Sequence, residues 1–211
     1  MLLKIKKHLI SYSSPHSQIA EQYRMIRTNL EFVSMDEKEK IIVITSPNSG
    51  DGKTTTVSNL AISMAQKGER VLLVDADLRN PALHKMFDLH NEVGLTTLLT
   101  QFIEIEDAAQ PTDIDQLKVL TSGPYQPNPT ELLGSNEMKR WMNSARKQFD
   151  RILFDTSSVL DVTDARVVAN QSDGAILVIR SGKTDIFRAL EAKRLLDLAR
   201  VKVKGVILNQ K

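Results

Sequence analysis

The residues best suited to chemistry lie in a polar loop that directly follows a short apolar run. This loop, residues 46–56, reads Ser-Pro-Asn-Ser-Gly-Asp-Gly-Lys-Thr-Thr-Thr. Gly50 and Gly52 have no Cβ to keep an anion away from the backbone, and successive N–H groups can form an anion-binding nest. Lys53 adds a mobile positive charge, and the Thr54 hydroxyl is a hard oxygen ligand of the kind that Mg²⁺ prefers. The loop therefore predicts a site for a phosphate chain and its metal ion.

The surroundings of the loop support the same interpretation. Apolar side chains after Lys53 recur at helical spacing, which places a helix N-terminus behind the loop, directed at the phosphates. The usual pattern is G-x-x-x-x-G-K-[ST], and here Pro47 stands in place of its first glycine. The alternative is a glycine-rich turn before an ordinary helix, but such a turn does not need Gly-Lys-Thr after a buried strand.

Three aspartates follow apolar runs that have the composition of strands. Asp75 and Asp77 follow the run at 71–74, and Asp155 follows the run at 151–154. Carboxylates near a Mg²⁺–nucleotide complex can hold the metal directly or through its waters. If the first strand continues, Asp75 and Asp77 point to one face, so one can hold Mg²⁺ while the other accepts a proton from an attacking hydroxyl. The alternative is that each aspartate ends its strand and caps the next helix.

The elements that must position these residues alternate between strands and helices. Short runs rich in Val, Ile and Leu predict strands buried on both faces, and helical apolar spacing lies between them. This alternation predicts an α/β fold with a doubly wound, mostly parallel sheet, whose ligands bind at the C-terminal ends of the strands. The predicted strands are 41–45, 71–74, 118–121, 151–154, 175–179 and 203–208. The predicted helices are 19–33, 53–67, 137–148, 164–171 and 185–200, with shorter ones near 81–87, 94–100 and 104–109, and a loop at 11–18.

Composition limits the classes of function. A chain of 211 residues with 41% apolar content is long enough for one domain with its own core, so we expect a flexible segment at 1–18 and one domain at 19–211. The net charge of +2, with both signs mixed, provides no strong field for nucleic acid. The absence of cysteine excludes a Cys-ligated iron–sulfur centre. No apolar run reaches the roughly 18 residues that a membrane span needs.

Together these motifs resemble those of the bacterial tyrosine kinases (BY-kinases), the P-loop kinases of capsule and exopolysaccharide export. The resemblance covers residues 20–210, nearly the whole chain. The polar loop, Val-Leu-Leu-Val-Asp-Ala-Asp-Leu-Arg at 71–79 and Ile-Leu-Phe-Asp-Thr at 152–156 are similar to the Walker A, A′ and B motifs of that family. Glu21-Gln-Tyr-Arg24-Met-Ile-Arg27 matches its E-x-x-R-x-x-R helix, and Gly123 to Leu133 matches its G-x-x-x-x-N-P-x-E-L-L segment.

The resemblance implies an ATP- and Mg²⁺-dependent protein-tyrosine kinase on a P-loop NTPase-type scaffold, acting on itself or on other proteins. It implies that Lys53 binds phosphates and that Thr54, Asp77 and Asp155 serve the metal. Asp75 would be the base for the tyrosine hydroxyl, although the roles of Asp75 and Asp77 are exchangeable. The remaining nucleotide contacts would come from Ser49, Gly50, Asp51, Gly52 and Thr55 of the loop, and from Asn209 at the adenine.

The resemblance also implies partners. Glu21, Arg24 and Arg27 would form a homo-oligomeric ring interface, although by themselves they also fit a solvated charged face. A membrane-embedded polysaccharide co-polymerase would activate the kinase through its cytoplasmic tail, and a cognate phosphatase would reverse the modification. The substrates would be tyrosines of proteins, and nucleic acid would not be a partner. The protein would be cytoplasmic and held at the inner face of the membrane by its activator.

The chain departs from related patterns at two places in the site. Asn48 stands where the MinD-like and ParA-like ATPases carry a signature lysine, which favours the kinase over an ATP-sandwich switch. Ser157 and Ser158 stand where the family has two prolines, so we expect a more mobile loop after the Walker B strand or a different switching behaviour.

The family's C-terminal tyrosine cluster has no counterpart in this sequence, whose tyrosines are Tyr12, Tyr23 and Tyr125. A kinase that phosphorylates other proteins is one explanation. Two further hypotheses remain open, a MinD/ParA-related regulatory ATPase that acts by binding a partner, and a degenerate member that serves only as a scaffold.

Overall fold

One sheet runs through the centre of the protein in the computed structural model, which describes residues 8–33 and 39–210. Its strands are β1 (Ile41–Thr45), β2 (Val71–Asp75), β3 (Gln110–Pro111), β4 (Leu117–Leu120), β5 (Arg151–Asp155), β6 (Gly174–Arg180) and β7 (Val203–Asn209). Their order across the sheet is β3-β4-β2-β5-β1-β6-β7. Within the described ranges, β3 pairs antiparallel with β4, and the other neighbours pair in parallel.

Helices cover both faces of this sheet. They are α1 (Ile10–Ser13), α2 (Gln18–Val33), α3 (Lys53–Ala65), α4 (Leu83–Phe87), α5 (Leu95–Gln101), α6 (Ile105–Ala108), α7 (Pro129–Leu133), α8 (Asn136–Gln148), α9 (Asp164–Asn170) and α10 (Ile186–Leu198). The predicted doubly wound α/β fold is confirmed, and the predicted strands and long helices end within two residues of the observed ones. None of the described helices has both the length and the apolar character that crossing a membrane requires.

Neighbouring residues of the inner strands face opposite layers of the core. In β1, Ile41 and Val43 pack on the side of α8 and α9, whereas Ile42 and Ile44 pack on the side of α3. Every residue of β1 and of β2 is buried, because helices cover both faces. This double burial explains why these strands are almost wholly apolar, with no alternation of polar side chains.

The sheet order brings the predicted motifs to one edge. Strand β5 lies between β1 and β2, with Ile44 paired to Asp155 on one side and Asp75 paired to Asp155 on the other. The polar loop leaves the end of β1 at the same edge. A parallel sheet therefore places the loop and the strand-end carboxylates side by side, although Asp155 lies roughly 100 residues beyond the loop along the chain.

The N-terminal region differs from the sequence expectation. The loop predicted at 11–18 begins with the last three residues of α1, which packs on α3 because Leu9 is buried in the core beside that helix. The Ser11 N–H donates to Asn59 Oδ1 at 2.8 Å, so a buried side chain of α3 satisfies this turn. A single turn is too short to show helical periodicity. Residues 1–7 lie outside the described residues, and the division of the chain at residue 18 stays a prediction.

A partly buried ion pair at the opposite edge of the sheet gives a test of the fold. The Asp173 carboxylate accepts hydrogen bonds from the Lys40 and Ile41 N–H groups at 2.7 Å and from the Arg146 guanidinium at 2.6 and 2.8 Å. Burial raises the pKa of Asp173, but the bonds from Arg146 and the backbone outweigh burial and lower it overall.

We expect Asp173→Ala to reduce the free energy of unfolding by about 2–4 kcal/mol, because it leaves a guanidinium and two N–H groups without their acceptor. The matched control is Asp197→Ala, which removes an exposed pair with Lys193 and should cost at most about 0.5 kcal/mol. Urea unfolding of both variants measures the difference. Equal losses would contradict the structural role given to Asp173.

Candidate active site

The polar loop has the backbone conformation that an anion-binding loop requires. Gly50 has φ +83° and Gly52 has φ +98°, both in the left-handed region that favours glycine. Gly52 is also the N-cap residue of α3, so the N-terminus of α3 faces the loop. A Cβ at Gly52 would lie 2.1 Å from Asn209 Nδ2, which leaves no room for a larger residue. The two glycines therefore set both the curvature of the loop and its fit to the end of β7.

Two predicted nucleotide contacts use their side chains to hold this loop. The buried Asp51 carboxylate accepts from the Asn48 N–H at 2.9 Å and from the Thr184 hydroxyl at 2.9 Å. Asn209 Nδ2 donates to the Asp51 carbonyl at 2.9 Å. Asn209 therefore joins β7 to the loop, and its predicted contact with adenine stays a prediction.

Asp155 is the most unusual carboxylate of the site. It is 1% exposed, and no donor among the described residues is well aligned for a hydrogen bond to either oxygen, although the Thr54 hydroxyl lies close by. Burial raises the pKa of Asp155 from 3.8 to about 7, while the Lys53 charge and the Thr54 hydroxyl lower it and the Asp77 charge raises it. These influences place Lys53, Thr54 and Asp77 around the same carboxylate. Two buried oxygens without aligned donors leave room for a proton, an ordered water or a cation at this position.

Lys53 and Asp77 form an ion pair at the mouth of the loop. Lys53 Nζ lies 3.5 Å from Asp77 Oδ2, and both side chains are less than 10% exposed. Asp77 Oδ1 accepts from the Asn80 N–H at 3.2 Å, which fixes the turn after β2. The structure thus brings together the predicted phosphate-binding lysine and one of the predicted metal carboxylates.

Asp75 has a different environment from Asp77, although only one residue separates them. Asp75 is fully buried, and its Oδ2 accepts from the Ala82 N–H at 3.0 Å and the Leu83 N–H at 2.9 Å, where α4 begins. Burial and the nearby Asp155 raise the pKa of Asp75 well above its usual range, and the two N–H bonds oppose that rise. Asp75 Oδ2 therefore caps the next helix, as the alternative interpretation expected, while Oδ1 has no partner.

The predicted metal ligands fit Mg²⁺. Thr54, Asp77 and Asp155 offer hard oxygen atoms, and the two unpartnered oxygens of Asp155 are suited to a cation or its waters. Across residues 8–33 and 39–210, no three acidic, His or Cys side chains converge into a ready-made metal cage. That arrangement suits a metal that completes its shell with water and substrate phosphates.

Sequence reasoning missed a second set of residues that hold the loop. Thr184 and Arg188, from the segment after β6, bond to Asp51 and to Asn48 Oδ1, and Arg180 reaches the Gly50 carbonyl at 3.5 Å. These residues lie about 130 positions from the loop and carry no local motif. The pairing of β6 with β1 brings them there, so only the three-dimensional arrangement identifies them.

Arg79 of the A′ motif belongs to another network that sequence reasoning did not identify. Its Nε donates to Asp164 Oδ2 at 2.7 Å, and Asp164, at the start of α9, is 1% exposed. The Thr130 hydroxyl of α7 donates to the same carboxylate and lies 3.3 Å from the Arg79 guanidinium. One buried carboxylate thus joins the A′ turn, the first turn of α7 and the first turn of α9.

The segment after β5 is held in place although it lacks the two prolines. Ser157 and Ser158 are both buried. The Thr45 hydroxyl donates to the Ser157 carbonyl at 2.8 Å, and the Ser158 hydroxyl donates to Asp161. Hydrogen bonds therefore supply the restraint that prolines would supply, so the structure gives no support to a looser loop.

The arginine helix α2 uses its charged residues within the chain. Arg24 donates to Glu21 at 2.7 Å and to the Pro15 carbonyl at 2.9 Å, and Arg27 donates to the Ser63 carbonyl near the end of α3. The same helix exposes Met25, which is 58% accessible, among other apolar side chains. These bonds leave the predicted ring interface at Glu21, Arg24 and Arg27 a prediction.

Comparison with known proteins extends these findings. The AAA domain family matches residues 39–191. Tyrosine-protein kinase YwqD of Bacillus subtilis (strain 168) is 46% identical over 208 residues, which are 99% of this chain and 88% of that protein. The chimerical protein CapA2B2 superposes with a TM-score of 0.92 at 35% identity, covering 97% of this chain and 90% of that chain. The kinase domain of the Escherichia coli tyrosine kinase ETK also has a TM-score of 0.92, at 33% identity, covering 95% of this chain and 79% of that chain.

The class of regulatory ATPases is more distant. The cell division ATPase MinD of Pyrococcus furiosus superposes with a TM-score of 0.68 at 27% identity, covering 81% of this chain and 71% of that chain. The P-loop scaffold is therefore common to both classes, but the kinase similarity is higher and covers more of the chain. Identity over nearly the whole sequence, together with the shared fold, shows that the chain belongs to the family of bacterial tyrosine-protein kinases.

Proposed function

We propose that this protein transfers the γ-phosphoryl group of ATP to tyrosine hydroxyls of proteins, its own chain included. The observation that carries the proposal is Asp155, a buried carboxylate with two unpartnered oxygens beside Lys53 and Thr54 of a phosphate-binding loop. Phosphoryl transfer depends on positioning and on neutralising the charge that builds up on the phosphate oxygens. Magnesium bound there would supply part of that neutralisation.

The residues of the chain then divide the work between them. The loop N–H groups and the N-terminus of α3 would bind the phosphates, and Lys53 would exchange its pairing with Asp77 for their oxygens. Asp77, Thr54 and Asp155 would then hold the metal, which would supply positive charge beside the phosphates. Asp75 would accept the tyrosine proton at Oδ1, the oxygen that the Ala82 and Leu83 N–H groups leave free, and Asp77 is the alternative base. Its raised pKa suits a carboxyl group that has to take up a proton.

The biological setting that we propose is control of capsule or exopolysaccharide synthesis and export. The kinase would work in the cytoplasm against the membrane, with a membrane-embedded polysaccharide co-polymerase as its activator and a phosphatase that removes its product. The chimerical CapA2B2 protein, whose chain has this fold, is compatible with such a partner. A ring of subunits would contact through Glu21, Arg24 and Arg27 and through the exposed side chains of α2.

The central test is an assay for phosphotyrosine with ATP, Mg²⁺ and a tyrosine-containing protein substrate. Lys53→Met should lower the rate at least about 100-fold, because it removes the charge that the transition state needs. Lys67→Met is the matched control. Lys67 follows the C-terminal end of α3, away from the loop, and pairs with Glu31 of α2, so its substitution should leave the rate unchanged. ATP hydrolysis by the wild type without any phosphotyrosine would instead support the regulatory ATPase.

The second prediction concerns how the free energy of unfolding of the nucleotide-free protein depends on pH through Asp155. The pKa of Asp155 in the folded protein is raised from 3.8 to about 7, so its ionisation costs folding free energy as the pH rises through that window. Asp155→Asn should therefore stabilise the protein more at pH 8 than at pH 5, by a difference on the order of 2 kcal/mol. Urea unfolding at the two pH values measures it.

The control for this prediction is Asp150→Asn. The hydrogen bond from Arg70 lowers the pKa of Asp150 to about 2, so this carboxylate stays ionised throughout the range from pH 5 to pH 8. Its substitution should change stability by the same amount at both pH values. The effect of Asp155→Asn on stability could instead be the same at both pH values, or most destabilising at pH 8. Either result would contradict the conclusion that burial disfavours the ionised form of Asp155.

The ring interface gives a third prediction. Glu21→Ala combined with Arg24→Ala should lower the molar mass measured by light scattering, because both side chains face the surface proposed for subunit contact. Arg27 is left in place, since its bond to the Ser63 carbonyl supports α3. Arg140→Ala, which removes an exposed pair with Glu137 on α8, should leave the mass unchanged. An unchanged mass in the double variant would refute the interface.

A further inference from the structure

The three tyrosines of the chain have very different surroundings. Tyr23 is partly buried on α2, where burial raises its pKa and a hydrogen bond with Thr56 lowers it. Tyr12 lies on α1 and is 36% exposed. Tyr125 is 82% exposed and projects from the segment between β4 and α7. A phosphoryl acceptor must present an accessible hydroxyl, and Tyr125 is the most exposed of the three tyrosines.

Strand pairing places Tyr125 at the same edge of the sheet as the proposed active site. Strands β2 and β4 are parallel neighbours, and Val74 pairs with Leu120. The segments 75–79 and 121–125 therefore leave the sheet side by side at its C-terminal edge. Tyr12 lies near the C-terminal end of α3, away from the phosphate loop. The neighbouring Ser11 carbonyl accepts a hydrogen bond from Gln66 at that end. With 13 residues, α3 is about 20 Å long.

Hydrogen bonds on both sides hold the segment that carries Tyr125. The Gly123 N–H donates to Asn91 Oδ1 at 3.0 Å, and the Thr96 hydroxyl donates to the Pro124 carbonyl at 2.9 Å. After Tyr125, the chain enters α7, where Thr130 bonds to the Asp164 carboxylate. The backbone is therefore fixed immediately before and shortly after an exposed side chain, which limits the region that the hydroxyl can reach.

Arg79 connects this segment to the catalytic carboxylates. Its guanidinium lies 3.3 Å from the hydroxyl of Thr130, which follows Tyr125 by five residues. Arg79 itself follows Asp77 by two residues. The hydrogen bond to Asp164 is the main reason that its pKa is raised, and Asp77 and Tyr125 are both close enough to contribute. Arg79 thus lies within electrostatic range of the tyrosine hydroxyl and of a carboxylate of the site.

We propose that Tyr125 is a phosphorylation site of this chain. It would accept the γ-phosphoryl group from ATP bound at the active site of this same protein. The proposal rests on the proposed function. The Tyr125 oxygen forms a bond to the γ-phosphorus, and the bond from that phosphorus to the β,γ-bridging oxygen breaks. ADP leaves with the electron pair of that bond, and the phenolic proton passes to a carboxylate base and then to water.

Arg79 also suits the product of this step. Phosphotyrosine carries nearly two negative charges at neutral pH and pairs best with a guanidinium. The Arg79 side chain is 40% exposed, so its outer face is accessible to a phosphate while its inner face bonds Asp164. A modified Tyr125 therefore has a cation within reach, whereas the phosphate on Tyr23 would meet a partly buried surface.

The experiment incubates the full chain with ATP and Mg²⁺, with and without a random glutamate–tyrosine copolymer, and locates phosphate by mass spectrometry. We expect phosphate on Tyr125 in the wild type and none in Lys53→Met. Tyr125→Phe should lower autophosphorylation about tenfold while it labels the copolymer at the wild-type rate, which shows that the variant is folded and active. Tyr12→Phe, the matched control, should keep wild-type autophosphorylation.

The outcomes separate the two proposals. Labelling of the copolymer without phosphate on Tyr125 would overturn this inference and leave the kinase function standing. Phosphate found on Tyr12 or Tyr23 at a level unaffected by Tyr125→Phe would overturn it as well. Absence of label on both the chain and the copolymer would overturn the proposed function and the inference together.

Discussion

The burial of one carboxylate at the junction of three parallel strands is the constraint on which the rest of the site depends. Asp155 ends the central strand β5, and its neighbours on either side are the strands that carry the phosphate loop and the A′ motif. Burial without a hydrogen-bonding partner is costly for an ionised group, and it raises the pKa of Asp155 to about 7. The same position is where we propose that Asp155 serves the metal together with Thr54 and Asp77.

The surrounding network keeps that arrangement rigid. Asp75 and Asp77 fix the A′ turn through backbone N–H groups, and Asp164 joins that turn to α7 and α9 through Arg79. On the other side, Thr184 and Asn209 hold the phosphate loop through Asp51. Asp51, Asp77 and Asp164 thus have structural partners, and Asp75 has them through Oδ2 alone. The buried carboxylate oxygens of the site without partners are Asp75 Oδ1 and the two oxygens of Asp155.

The sequence predicted the parts of this structure that depend on local patterns. Buried strands, long helices, the glycine loop and the strand-end aspartates all follow from residue type and spacing, and the resemblance to the BY-kinases agreed with them. Contacts between distant segments could not be predicted, since no local sequence pattern identifies the hydrogen-bonding partners of Thr184, Asp164 or Asn209. The short helix α1 was not predicted because a single turn has no periodicity. The hydrogen bonds that hold Ser157 and Ser158 are made with Thr45 and Asp161, and the residue pattern does not indicate either pairing.

We propose that Asp155, about half protonated at pH 7, loses its proton when magnesium and nucleotide bind, so the most direct measurement is proton release on binding. Calorimetric titration of Mg²⁺–ADP at pH 7, repeated in buffers of different ionisation enthalpy, gives the number of protons released. With a pKa of about 7, the wild type should release about half a proton more than Asp155→Asn. Equal proton release by the two proteins would contradict the central role of this carboxylate.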